Sequence, residues 1–200
     1  MHKITIYLLH KNEIQAHLDV VLSLLDQSRF KKANQLSKED DRLLSYGGGY
    51  LMRKYLPNQE IKISKNGKPY FEYGPHFSLS HSHDFVGLCV QEEDEIGFDI
   101  EYINEDKIKA IRYVLSGEEA KVDDVESLFK LWTNKESLIK CRGDLLNNIR
   151  LYSGLPLNGA VSYGGATYYR ESMIYKGYAI SVSSEVREPF TLNLHEIKIV

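Results

Sequence analysis

The segment from Leu128 to Lys140 places charged residues where a helix of a folded protein should be apolar. At 100° per residue its large apolar side chains gather on one side, which predicts a helix that packs against a core. These side chains are Leu128, Leu131, Trp132, Leu138 and Ile139. Lys135 falls inside that stripe, Glu136 lies at its margin, and Lys140 follows Glu136 by one turn. Because charges on a core-facing side are costly unless they are paired or bind a metal, the rest of the chain should supply their partners.

The composition limits what those partners can be. The chain has 200 residues, of which 42% are hydrophobic, so a sizeable core can form. The net charge is −3 and no block of lysine or arginine occurs, which argues against a nucleic-acid partner. Cys89 and Cys141 lack metal-ligand spacing and fit free thiols in a reducing cytosol. The first residues contain too short an apolar run for a signal peptide or a membrane span, so we expect a cytoplasmic protein without membrane contact.

The hydrophobic patterns predict the order strand, helices, strands, helices, strands. We expect strands at 4–9, 77–83, 86–90 and 96–101, helices at 13–27, 37–55, 105–115 and 117–143, and hairpins from about residue 160 onward. This order predicts an α+β fold of two similar-sized parts, residues 1–103 and 104–200. The run Gly47-Gly48-Gly49 interrupts the second helix and indicates close packing or a kink, since it lacks the lysine and serine of a phosphate-binding loop.

Two carboxylates precede the charged helix on the predicted strand Ile96–Glu101. The period of two places Asp99 and Glu101 on one face, with their Cβ atoms about 7 Å apart. Two carboxylates at that separation can share a cation, and Glu136 would complete an oxygen-rich site suited to Mg²⁺. The two lysines of the helix would then flank an anionic substrate. The same spacing also fits carboxylates that merely line a solvent-facing strand, and spacing alone does not decide between these interpretations.

Four motifs in order resemble those of the 4′-phosphopantetheinyl transferases. Ile-Gly-Phe-Asp-Ile-Glu at 96–101 is similar to the family's G-x-D-x-E strand, and Trp-Thr-Asn-Lys-Glu-Ser-Leu-Ile-Lys at 132–140 is similar to its W-x-x-K-E-[AS]-x-x-K helix. Gly67-Lys68-Pro69, the segment Phe77–His81 and the length of 200 residues resemble the longer, monomeric Sfp-like branch. The motifs that carry the resemblance span residues 67–140.

The resemblance implies both a fold and a reaction. The family fold has two similar α/β lobes related by a pseudo-twofold, with coenzyme A held in the cleft between them. The family transfers the 4′-phosphopantetheine arm of coenzyme A to a serine of an acyl or peptidyl carrier protein and releases 3′,5′-ADP. It depends on Mg²⁺, with Mn²⁺ as a possible substitute. We therefore expect a monomeric enzyme whose partners are coenzyme A and an apo carrier protein.

The resemblance also assigns roles to the charged residues of the strand and the helix. Asp99, Glu101 and Glu136 match the family's metal ligands, and Lys135 and Lys140 match its lysines near the pyrophosphate. Lys140 would stabilise charge in the transition state. The serine proton of the carrier would pass to Glu136 or to a water on the metal, and the sequence leaves this choice open. Lys135 lies deepest in the apolar stripe, so an internal ion pair is its alternative.

Five further residues match positions that contact the rest of the coenzyme. Ser80 and His81 match the pair beside the 3′-phosphate, Lys68 and Pro69 match the loop over the adenine, and Lys31 falls where the family carries early basic residues.

One position departs from the family pattern and motivates other hypotheses. The family carries an arginine in the second helix, but here Arg42 is one residue out of register and Leu43 occupies the position. An alternative function is therefore a binding module that holds coenzyme A or a carrier protein without transfer. A third is a Mg²⁺-dependent phosphohydrolase that uses the same acids.

Overall fold

The computed structural model describes residues 2–152, 154, 157–185 and 188–200, and it has a mixed α+β architecture. The strands are β1 His2–His10, β2 Lys62–Ile63, β3 Pro69–Tyr70, β4 His76–Ser82, β5 Phe85–Gln91, β6 Ile96–Tyr102, β7 Gly159–Tyr163, β8 Ala166–Tyr175, β9 Tyr178–Ser184 and β10 Phe190–Glu196. The helices are α1 Lys11–Ala16, α2 Leu18–Ser23, α3 Gln27–Asn34, α4 Glu39–Tyr55, α5 Glu105–Val114 and α6 Val125–Arg142, with short 3-10 segments at Gly117–Lys121 and Leu146–Tyr152.

Two four-stranded sheets pack face to face between two layers of helices. The first sheet has the order β10-β1-β5-β4 and the second the order β6-β9-β8-β7. Alternate apolar residues of β1, such as Ile4 and Ile6, meet alternate residues of β6 and β9, such as Phe98 and Ile180, in one buried cluster. Helices α1 to α4 cover the other face of the first sheet, and α5 and α6 cover the other face of the second.

Helix α6 lies directly against β6 and β9 because the facing side chains are small. Thr133 and Ser181 place their hydroxyl oxygens 2.7 Å apart, and a similar contact of 2.8 Å joins Ser137 to Ser183. At Gly97 a Cβ atom would overlap the backbone carbonyl of Ser137, so glycine permits the helix backbone to touch the strand. This close approach brings the charged edge of α6 to the side chains of β6.

The strand predictions agree with the structure better than the helix predictions do. The hairpins expected from about residue 160 onward include the two that join β7 to β8, at Gly164-Gly165, and β8 to β9, at Lys176-Gly177. The helix expected at 13–27 is divided into α1 and α2, and the one expected at 117–143 is a 3-10 segment followed by α6. Helix α4 runs without interruption through Gly47 and Gly49, where Cβ atoms would overlap the side chains of Ile14 and Leu25. These glycines therefore serve close packing.

The sequence patterns did not show that the last strand, β10, pairs differently from the hairpin strands before it. β10 leaves the second sheet and pairs in parallel with β1 of the first, while β6 pairs with β9. The division into residues 1–103 and 104–200 stays a proposal. Each part contributes one strand to the sheet of the other, because β6 lies in the second sheet and β10 in the first. Within the described ranges, none of the helices combines the length and hydropathy that a membrane span requires.

Candidate active site

The two sheets meet along β4 and β6, a line of contact that we call the seam. Ser78 accepts a hydrogen bond from the backbone N–H of Phe98 at 3.0 Å, and Ser82 accepts one from Tyr102 at 3.0 Å. Both pairs are separated by 20 residues, so the strands run in the same direction there. Serine hydroxyls at every second position of β4 thus replace the backbone ladder between the strands. Only short polar side chains could link the two strands in this way. In the sequence, the feature that indicates this link is the serine at every second position, Ser78, Ser80 and Ser82.

The centre of the seam holds four polar residues, Ser80, Asp99, Glu136 and Lys140, which we call the Asp99 cluster. Ser80 donates to Asp99 Oδ1 at 2.6 Å. Lys140 Nζ lies 2.6 Å from the same oxygen and donates to Ser80 Oγ at 2.9 Å. Glu136 Oε2 is 3.9 Å from Lys140 Nζ. Asp99 is buried, and its second oxygen, Oδ2, has no hydrogen-bond partner among the described residues.

Glu136 carries a strongly altered acidity in this cluster. Burial, followed by the negative charge of Asp99, raises the pKa of Glu136 to about 8. Lys140 acts in the opposite direction, but it is closer to Asp99 than to Glu136. A carboxyl group with a pKa near neutrality can take up and release a proton at physiological pH, which is the property required of a general base.

Glu101 follows Asp99 by two residues on the same face of β6, and other side chains pair with it. Ser82 donates to Glu101 Oε1, and Lys107 Nζ lies 2.6 Å from the same oxygen. Lys107 comes from the first turns of α5 and was not singled out in the sequence, where nothing distinguishes it from other surface lysines. Ser82 was also missed, although the serine alternation of β4 could have indicated it.

The carboxylates of Asp99, Glu101 and Glu136 are oxygen donors of the kind that bind hard cations such as Mg²⁺. In the part of the chain that the structure describes, no group of three or more His, Cys, Asp or Glu side chains is close enough to hold a metal ion. Two ammonium groups instead pair with Asp99 and Glu101. Oxygen donors are nevertheless what Mg²⁺ requires, and the buried, unpartnered Oδ2 of Asp99 lacks the positive partner that a cation would provide. The donor set therefore fits Mg²⁺.

His81 follows Ser80 on β4, and its side chain is exposed beside the cluster. Partial burial of the ring and then the charge of Lys140 lower the pKa of His81, while nearby carboxylates act in the opposite direction. The imidazole is therefore neutral at physiological pH and can donate a hydrogen bond from one ring nitrogen.

Lys135 does not belong to the Asp99 cluster, and its assignment to the pyrophosphate is wrong. Its Nζ lies 2.8 Å from Glu119 Oε2 and donates to the carbonyl of Tyr152 at 3.1 Å. The side chains of Lys135 and Glu119 are 2% and 7% exposed. The apolar stripe of α6 carries Lys135 into the core, where Glu119 of the 3-10 segment compensates its charge. This internal pair was the alternative that the helical angle of Lys135 left open.

The remaining predicted coenzyme contacts lie outside the Asp99 cluster. Lys68 contacts Glu95 and donates to the carbonyl of Cys141 at 2.6 Å. Lys68 thereby lines a cavity of about 530 Å³ at the C-terminal end of α6. Pro69 begins β3 opposite Ile63. Lys31 is an exposed residue of α3, and no described hydrogen bond or ion pair joins it to the cluster.

Arg42 has a structural role in this chain. Its guanidinium donates to the backbone carbonyls of Leu36 and Ser37 at 2.9 and 3.1 Å, so it fastens the connection that precedes α4.

Comparisons with known proteins match the part of the chain that builds the seam. Residues 95–161, which include β6 and α6, match the family model of the 4′-phosphopantetheinyl transferase superfamily. The chain is 35% identical to the 4′-phosphopantetheinyl transferase gsp of Aneurinibacillus migulanus over 151 aligned positions, which cover 66% of this chain and 62% of that protein. It is also 35% identical to the 4′-phosphopantetheinyl transferase AcpT of Escherichia coli K12 over 108 positions, covering 48% of this chain and 55% of the relative.

The matched region spans less than two thirds of each of these relatives. The residues that match the family model contain β6 and α6, whose charged residues meet in the Asp99 cluster. Over these stretches the chain is therefore similar to the 4′-phosphopantetheinyl transferases, and residues 95–161 match the model of that superfamily.

Proposed function

We propose that this protein transfers the 4′-phosphopantetheine arm of coenzyme A to a serine of an acyl or peptidyl carrier protein and releases 3′,5′-ADP. The observation that carries the proposal is the Asp99 cluster, in which Ser80, Asp99, Glu136 and Lys140 come together from three motifs that are far apart in the sequence. The similarity to enzymes named as 4′-phosphopantetheinyl transferases supports it.

The proposed fold has two lobes related by a pseudo-twofold, with coenzyme A in the cleft between them. Strand order supports this arrangement. In the first sheet, β1 pairs with β5 and β5 with β4, so the first strand of this half of the chain pairs with the last, and the last with the one before it. In the second sheet, which β6 joins although it lies within residues 1–103, the same relation gives β6-β9-β8. Each lobe places helices between its first strand and the later ones, so the seam between the lobes is the natural place for a shared substrate.

In the reaction, the serine oxygen of the carrier bonds to the β-phosphorus of coenzyme A. The bond from that phosphorus to the bridging oxygen breaks, and its electron pair leaves with 3′,5′-ADP. The serine proton passes to Glu136, which lies at the edge of the Asp99 cluster, or to a water molecule held there. Lys140 turns from Asp99 to the pyrophosphate and compensates charge on the leaving side. Ser80 and neutral His81 donate hydrogen bonds to phosphate oxygens.

Asp99, Glu101 and Glu136 would hold Mg²⁺ in this proposal, with Mn²⁺ as the alternative. Bound there, the ion would withdraw negative charge from the pyrophosphate and orient it. Lys107 and Lys140, which pair with two of these carboxylates, compensate their charge when the cation is not bound.

A monomeric protein in the cytoplasm completes the proposal. The two cysteines, Cys89 and Cys141, are buried free thiols, as expected in a reducing compartment. Coenzyme A and an apo carrier protein are its proposed partners.

The test is to incubate the protein with coenzyme A, MgCl₂ and a panel of apo carrier proteins, and then to weigh each carrier by mass spectrometry. We expect one carrier or more to gain the mass of a phosphopantetheine group, and Glu136→Gln to remove this gain while the protein stays folded. Coenzyme A binding in a calorimeter without any mass gain would instead indicate a binding module. Release of 3′,5′-ADP or phosphate in the absence of a carrier would indicate a phosphohydrolase.

A further inference from the structure

A second cavity, separate from the seam, opens between α3 and the C-terminal half of α4. It has a volume of about 450 Å³, which is within the range of small-molecule sites. Its lining is mixed: polar side chains make up about half of it, and the apolar part includes Leu24, Leu25, Met52, Leu56, Ile61 and Phe71. None of the four residues of the Asp99 cluster lines it. The cavity therefore offers a binding volume that the proposed transfer reaction does not use.

Arg29 of α3 is the charged group of this cavity, and its charge is poorly compensated. Its Nε atom is buried and has no hydrogen-bond partner in the described part of the chain. The carboxylate that acts on it is Asp26, but Asp26 already caps α3 by accepting a hydrogen bond from the backbone N–H of Arg29 at 2.8 Å. Buried guanidinium groups normally pair with an oxyanion in a planar, two-pronged geometry. The Nε atom of Arg29 is buried without such a partner, although the side chain as a whole is only half-buried.

The glycine run of α4 explains how Arg29 comes to lie there. A Cβ atom at Gly48 would be 3.1 Å from a terminal nitrogen of Arg29, and one at Gly49 would be 3.2 Å from its Cγ. The missing side chains allow the arginine to pack against the helix backbone. Arg53, which contacts Asn58, adds a second positive charge to the lining. Two arginines against Asp26 leave the cavity one positive charge in excess.

We propose that this cavity binds a small organic anion, an oxyanion attached to a short apolar chain, with the oxyanion on Arg29 and the chain along the apolar walls. The oxyanion can be a carboxylate or a phosphate ester, because both match the guanidinium geometry. The apolar side chains of the lining would remove the apolar chain from water, and the partial burial of Arg29 would strengthen the ion pair.

The test uses the full-length protein labelled with ¹⁵N and three probes, hexanoate, hexyl phosphate and hexanol. The Nε–Hε signal of Arg29 is followed by nuclear magnetic resonance, and affinity is measured by calorimetry. We expect at least one anion to bind with a Kd on the order of 1 mM or tighter and to shift that signal until saturation. Hexanol should bind at least about tenfold more weakly, a difference of about 1.4 kcal/mol. The stronger of the two anions identifies the source as a carboxylate or a phosphate.

Variants show whether the binding depends on Arg29. Arg29→Met keeps the apolar stem and removes the charge, and should weaken anion binding at least about tenfold. Lys32→Met removes one charge from the exposed side of the same helix and should leave the affinity unchanged. Gly48→Asp keeps Arg29 and places a carboxylate beside it, so this variant should weaken binding as a competitor even if Arg29→Met does not fold.

Three results would overturn the proposal. They are the absence of a saturable Arg29 shift with either anion, hexanol binding as tightly as the anions, and full affinity in folded Arg29→Met or Gly48→Asp. Since the readout is binding in a cavity outside the seam, each of these results leaves the proposed transferase activity untouched. If the protein transferred no phosphopantetheine but still bound the anion, the transferase proposal would fail and the anion-binding proposal would stand.

Discussion

Lys140 of α6 and Asp99 of β6 form an ion pair of 2.6 Å close to Gly97, where the backbones of the helix and the strand touch. Asp99 is only 4% exposed at its side chain, whereas Lys140 is 31% exposed. The aspartate is therefore held in place, and the lysine has room to move toward a ligand. Gly97, two residues before Asp99, permits this close approach of the two backbones because it has no side chain. The packing of α6 on β6 and the position of Lys140 beside Asp99 therefore both depend on Gly97.

Substitution of Lys140 tests the proposed chemistry. Lys140→Met should lower kcat/KM for carrier modification at least about 100-fold, because the charge that stabilises the leaving side is lost. The rate is measured as mass gain of the carrier under limiting coenzyme A. Lys130→Met, in the same helix but outside the Asp99 cluster, is the matched control and should retain activity. Comparable rates in both variants would remove Lys140 from the site.

Substitution of Lys135 tests its internal role. Lys135→Met should lower the free energy of unfolding by about 3 kcal/mol, because it removes the ammonium group paired with buried Glu119 and leaves only the charge of Arg170 to act on that carboxylate. Denaturant titration measures this loss. The double variant Lys135→Met, Glu119→Gln should recover only part of it, since Glu119 also compensates the charge of buried Arg170. If the pair is structural, folded Lys135→Met binds coenzyme A as the native protein does, and a weakened affinity at unchanged stability would contradict this role.

Gly97→Ala tests the contact between β6 and α6. The new Cβ would overlap the backbone of Ser137 and Cys141, which cannot move without displacing the helix, so we expect a loss of about 3 kcal/mol or more. Gly117→Ala is the comparison, since Gly117 has a φ of 59° but no atom within 4 Å of the added Cβ. That change should cost about 1–2 kcal/mol of backbone strain. Thermal unfolding of both variants gives the measurement, and equal losses would argue against the packing role.

Asp144 predicts a pH dependence of stability. Burial acts to raise the pKa of Asp144, but hydrogen bonds from Tyr152 and Arg142 outweigh it and hold the pKa below its usual value. The folded state therefore binds this proton less readily than the unfolded state, and the stabilisation is present above about pH 4 and lost as the pH falls through the folded pKa.

Asp144→Asn should accordingly cost about 1 kcal/mol at pH 7, a modest value because the side chain is 32% exposed. Urea titrations of the native and variant proteins at pH 7 and pH 3 measure the difference. It should shrink at the lower pH, and a difference that is independent of pH would show that Asp144 acts through packing alone.

The sequence was sufficient for features that depend on local periodicity. Alternation along Ile96–Glu101 correctly predicted a strand, and the 100° pattern predicted a helix that carries Glu136 and Lys140 on a shared face. The alternation of serines along β4 was also visible in the sequence. The contacts of Ser82 with Glu101 and with the backbone of Tyr102 were not predicted from it. These patterns are readable because neighbours along the chain determine which face a side chain takes.

Partner choice between distant segments needed the tertiary structure. The angle of Lys135 showed that it must find a partner, yet only the fold brings Glu119 to it, 16 residues earlier in the chain. Lys107 reaches Glu101 because α5 turns back over β6, and β10 pairs with β1 across almost the whole chain length. A residue's need for compensation is a local property, set by its burial and charge. The identity of the compensating group depends on how the chain returns, which packing of the whole molecule decides.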